Sequence, residues 1–96
     1  MAALIMVRPG RDWQSSGGLF DWLLEYLIPR LSDVATAEWL QTVVEENLGS
    51  LWIPDLPTDT QAEIYELLRA DLLRAAEKEL SPAAVVELEE LIALTY

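Results

Sequence analysis

Residues 19–28 carry only two polar side chains, Asp21 and Glu25, and these stand four apart. That spacing places both on one narrow stripe of a helix. Leu19, Phe20, Trp22, Leu23, Leu24, Tyr26, Leu27 and Ile28 fill the rest of its circumference. A helix apolar on most sides is either the centre of a domain or shared with a partner. Pro29 removes a backbone donor and restricts Ile28, so the helix ends or kinks there.

Three more segments have helical period. In residues 33–48, Leu40, Val43, Val44 and Leu48 form one face with Trp39 beside it, and Glu38, Gln41, Thr42, Glu45 and Glu46 face away. Ser32 or Asp33 suits its N-cap, and Gly49 is placed for a left-handed C-terminal residue. A connector, residues 50–57, holds Trp52, Pro54 and Pro57. Thr58 followed by Gln61 then reads as a capping box, with Asp59 near the positive helix end. The apolar positions Ile64, Tyr65, Leu68, Leu72, Ala75 and Ala76 predict one long helix over 58–80, about 33 Å at 1.5 Å per residue. Glu66 with Arg69, and Asp71 with Arg74, are i,i+3 pairs worth only about 0.2–0.5 kcal/mol each. Ser81-Pro82 predicts a sharp joint, with Ser81 capping a last helix and Pro82 in its first turn. Val85, Leu88, Leu91, Ile92 and Thr95 are expected on the inner face of that helix; Glu87 and Glu90 are expected on its outer ridge, with Glu89 to the side.

Ahead of these lies a segment broken by Pro9-Gly10 and by Ser15-Ser16-Gly17-Gly18. Residues 2–7 have the composition of a short strand, but a lone strand has no partner in a helical domain. The expectation is therefore all-α: a compact bundle of about four helices over 19–96, with an irregular or extended N-terminal arm over 1–18. On that reading the core pattern begins at Leu19, and removing residues 1–14 should spare folding. Residues 1–7 are apolar, but they are few and have neither a preceding basic residue nor a cleavage site at a sensible distance. No apolar run approaches the roughly 18–20 residues of a membrane-spanning helix. With no cysteine in the chain, a cytoplasmic location is expected.

Seventeen acidic residues against six basic ones give a net charge of −11. Such a charge repels nucleic acid and anionic membranes, and it speeds encounter with basic partners. Histidine is absent, and with it the usual general base and the commonest metal ligand. Cysteine nucleophiles are excluded, and the glycines do not have the spacing of a phosphate cradle. Glu63 with Glu66, and Glu87 with Glu90, read as solvated ridges rather than catalytic pairs. The stretch from Asp55 imitates a calcium loop, but Pro57 and Thr60 occupy positions that need a ligand and a glycine. Neither enzymatic activity nor a cofactor or metal is expected.

Residues 33–61 contain no Lys or Arg, so the middle of the chain carries a field of one sign. The four tryptophans lie in four different segments. Trp22 and Trp39 are expected in the core; Trp13 and Trp52 are open between core and binding anchor. The functional expectation is a small acidic protein-binding module, an inhibitor or immunity-type protein that masks a basic surface on a partner protein. Its contact residues would be Glu38, Glu45, Glu46, Trp52 and Asp55. The alternative is a homo-oligomeric structural or adaptor module with the apolar first helix as interface.

Overall fold

A computed structural model describes residues 2–96. Its strands are β1 (Ala2–Arg8), β2 (Arg11–Ser16) and β3 (Ser50–Trp52). Its helices are α1 (Gly17–Leu27), α2 (Val34–Glu45), α3 (Thr58–Arg69), α4 (Leu72–Glu79) and α5 (Pro82–Leu94). The fold is therefore α/β, which corrects the all-α expectation: five helices pack with a mixed three-stranded sheet among the described residues.

The sheet is built by the segment expected to be an arm. Pro9-Gly10 is a hairpin turn, with Gly10 at φ +79° after a proline whose φ is fixed by its ring. β1 and β2 pair antiparallel, with Ile5 opposite Trp13 and Ala3 opposite Ser15; the register shifts between Met6 and Arg8, next to the turn. β3 then joins the other edge of β1 in parallel, Ile5 opposite Leu51 and Met6 opposite Trp52. Alternation puts Ala3, Ile5, Val7, Trp13, Ser15 and Leu51 on the buried face. The lone strand thus has two partners, one of them half the chain away, and β3 was not separable by pattern from the Pro-bounded connector.

α1 is the centre of the domain, as its composition allows. Leu19, Phe20, Leu23, Leu24, Tyr26 and Leu27 are buried within the chain. Ser16, the last residue of β2, caps it directly: its Oγ accepts from the Leu19 amide at 3.2 Å. At the far end Ile28–Arg30 forms a 3₁₀ turn at Pro29, as expected from the proline.

The long helix expected over 58–80 is broken at Ala70-Asp71 into α3 and α4. The buried residues Ile64, Leu68, Leu72 and Ala76 are spaced strictly by four, which overshoots a turn of about 3.6 residues. On one straight helix that stripe drifts off the core; a break after Arg69 brings Leu72 and Ala76 back onto it. The capping box also fails to form. Thr58 is already helical, and Gln61 Nε2 instead donates to the carbonyls of Leu56 at 2.7 Å and Pro54 at 3.2 Å, tying down the preceding turn. The Ser81-Pro82 joint forms as expected, Ser81 Oγ accepting from the Ala84 amide.

Two arginines lock the hairpin to the last helix. Arg8 Nη2 donates to the Thr95 carbonyl at 2.7 Å, and Arg69 Nη2 donates to the same oxygen. Arg69 Nε also reaches Thr95 Oγ1 at 2.9 Å, while its guanidinium lies 4.0 Å from the Tyr96 ring centroid. Positive charge at a helix C-terminus is favourable, so this clamp caps α5 while joining β1 to α3. Trp13, only 4% exposed, donates its indole N–H to the Glu87 carbonyl at 2.9 Å, a second tie between hairpin and α5. Among the described residues no helix is long and apolar enough to cross a membrane.

Because the hairpin supplies one wall of the core, deleting residues 1–14 is expected to prevent cooperative folding, the opposite of the sequence-based expectation. Ile5→Ala should cost about 2–5 kcal/mol in urea unfolding, as for other fully buried isoleucines.

Candidate functional site

α2 stands between the core and solvent. Thr36, Leu40 and Val43 are buried, and two outward stripes run along the rest of the helix. One holds Val34, Glu38, Gln41 and Glu45; the other holds Ala35, Trp39, Thr42 and Glu46, all at i, i+4, i+7, i+11 spacing. Trp39 is 46% exposed, which corrects its expected place in the core. The signal was present in the sequence, since Trp39 shares its stripe with Thr42 and Glu46 rather than with Leu40 and Val43.

The end of α2 is specified by asparagine, not by Gly49. Asn47 takes φ +56°, its amide donates to the Val44 carbonyl at 3.2 Å, and the Leu48 amide donates to the Val43 carbonyl at 3.0 Å. This nested pair of bonds closes a helix through one left-handed residue. Gly49, at φ +74°, serves the approach to β3 instead, where its carbonyl accepts from the Leu4 amide at 2.9 Å.

This geometry leaves an electrostatic conflict. Glu45 is the last residue of α2 and Glu46 its cap, at the pole that already bears partial negative charge, and the last turn has no basic residue. The N-terminus of α1 lies across a shared cleft, where Gly17 and Gly18 face Asn47 and Gly49, and supplies partial positive charge. Asp21 lines the same cleft and opposes that relief. The start of α2 has no such conflict: Asp33 sits at the positive pole and accepts from Thr36 Oγ1.

The structure brings Glu38, Glu45 and Glu46 together on the outward side of α2, and all three are exposed. Trp52 is not on that side. It projects from the open face of the sheet, 48% exposed, beside its register partner Met6 and on the same face as Leu4. Asp55 is exposed in the 3₁₀ turn Ile53–Asp55, whose Ile53 is buried. The expected site is thus two features separated by the α2-to-β3 turn, where Leu48 is also exposed.

A second group of carboxylates, Asp33, Asp59 and Glu63, lines a cleft with Ser32 and Thr60. The Glu63 oxygens are already used, accepting from the Ser32 amide at 2.9 Å and from Ser32 Oγ at 2.8 Å. Among the described residues no group of three or more such side chains is arranged to hold a metal ion.

No protein-family model, curated protein or solved structure matches the chain.

Reversing the charge at the α2 pole with Glu45→Lys and Glu46→Lys is expected to raise the stability of the free protein by about 0.3–1 kcal/mol per site at low salt, with the gain shrinking as salt is added. Asn47→Ala should be destabilising and Asn47→Gly neutral or stabilising, because only the former places a Cβ without a local polar partner at positive φ. Thermal melts of the four variants at two salt concentrations check both statements.

Proposed function

We propose that this chain is a small acidic protein-binding module that masks a basic surface on a partner protein, in the manner of an inhibitor or immunity-type protein. The observation that carries this reading is the α2 pole. Two carboxylates are held where the helix itself disfavours them, beside a tryptophan left half in solvent. Folded proteins resolve most such conflicts, and those that persist concentrate where binding relieves them. Lys or Arg side chains from a partner would neutralise Glu45, Glu46 and the helix pole together. Trp39 would supply the apolar contact that charged rims lack, since exposed indoles dominate interface energetics when desolvated.

The net charge of −11 acts earlier, at encounter. It raises the association rate with a basic surface and opposes approach to nucleic acid, so the competitor that such a partner would otherwise bind is the like-charged one. Trp52 and Asp55 extend the contact onto the sheet side, across the turn that carries Leu48.

The test compares capture of the native partner by wild type, by the Glu45→Lys/Glu46→Lys double variant and by Trp39→Ala. Each substitution set is expected to weaken binding by about tenfold or more, with the charge effect seen mainly in association rate and lost at high salt. A double variant that melts higher than wild type and still captures the partner equally well would overturn the reading.

A further inference from the structure

α4 and α5 diverge from the short joint at Leu80-Ser81 and leave a groove of about 370 Å³ between them. It is lined by the apolar residues Leu80, Pro82, Val85 and Val86 together with one carboxylate from each helix, Glu77 on α4 and Glu89 on α5. No cation lines it. The two basic residues of α4, Arg74 and Lys78, instead line a different groove with Tyr26 and Arg30 on the α1 side. Val86 is 53% exposed at the rim of this groove. Around α5, Pro82, Val86, Glu89 and Ala93 recur at i, i+4, i+7, i+11, so the exposed apolar residues continue along the helix as a stripe.

We propose that this groove binds an amphipathic basic segment, a helix whose apolar residues at i and i+3 or i+4 rest on Leu80, Val85 and Val86 while flanking Lys or Arg side chains pair with Glu77 and Glu89. The charge pattern selects the occupant. An apolar lining that carries a carboxylate from each helix and no cation favours an apolar stripe bordered by Lys or Arg and disfavours an acidic segment. A second copy of this chain is disfavoured on the same ground, because each copy carries the net charge of −11 and Glu89 interrupts its own α5 stripe. The groove lies on α4 and α5 and not on α2; the inference stands on its own lining residues and shares with the function proposed above only the sign of the charge sought.

The probe is a fluorescein-labelled Leu/Lys amphipathic peptide of about fifteen residues, long enough to hold a helix once bound, together with a Leu/Glu twin of the same apolar pattern. Anisotropy reports affinity and amide chemical shifts report location. The wild-type chain is expected to bind the Leu/Lys peptide, with shifts centred on residues 77–93. Val86→Lys combined with Glu89→Lys should weaken binding by about tenfold or more while leaving the melting temperature nearly unchanged, because both side chains face solvent. Glu45→Lys/Glu46→Lys should keep binding within about threefold. The proposal is overturned if the peptide does not bind, if the α2 variant loses as much affinity as the groove variant, if the shifts centre elsewhere, or if the Leu/Glu twin binds equally well. Sedimentation showing paired copies whose contact the peptide cannot displace would also overturn it. Partner capture through Glu45 and Glu46 is read in a separate experiment, so either proposal can fail alone.

Discussion

A helix with apolar side chains on most of its circumference has to be covered from more than one side, and α1 sets that condition for the whole chain. Phe20, Leu23, Leu24 and Leu27 are all essentially removed from water. Part of that cover comes from α2 and part from the hairpin, since β1 and β2 both pack against α1. The hairpin closes the remaining side. Ser16, which ends β2 and caps α1, joins the two tasks in one residue. The arginine clamp on Thr95 and the Trp13 indole bond to Glu87 then hold the hairpin against α5 from two directions.

The parts of this arrangement legible in the sequence are those fixed by local chemistry. The need of α1 for cover, its end at Pro29, the outward face of α2, the inner face of α5 and the Ser81-Pro82 joint all follow from side chains within a few residues of one another. Leu48, expected on the inner face of α2, is instead exposed. What was not legible depends on distant partners. β2 has a single large apolar side chain, Trp13, and its other inward position is the small Ser15, so its alternation is faint until β1 is placed beside it. β3 is only three residues long and is a strand because β1 offers it an edge. The break after Arg69 has no proline or glycine to announce it and follows from where the core lies. At the candidate site the acidic residues of α2 were placed on the correct side by pattern. Trp39 runs against the usual burial of tryptophan because it shares its stripe with Thr42 and Glu46.

The charges are sorted as well as numerous. Of the six basic residues, Arg8 and Arg69 close the fold at Thr95 and lie over the Tyr65 ring at 5.1 and 5.7 Å. Arg30 lies 3.8 Å from the Tyr26 ring centroid and donates to the Tyr26 carbonyl. Three of the six cations are thus spent on carbonyls and aromatic faces, whereas Arg11, Arg74 and Lys78 face solvent. The carboxylates of α2, and those flanking the α4–α5 groove, are left to face outward.

The parallel pairing of β1 with β3 also orders events in time. During synthesis the hairpin and α1 emerge well before Ser50–Trp52, so β1 must wait with one edge unpaired and Ile5, Val7 and Trp13 only partly covered. Closing the sheet requires a long intervening loop of α1 and α2 to form first, which makes it a late and comparatively slow step. In that interval an open strand edge is a template for other chains. Glu38, Glu45 and Glu46 are translated within that interval, and their like charge opposes association between nascent copies.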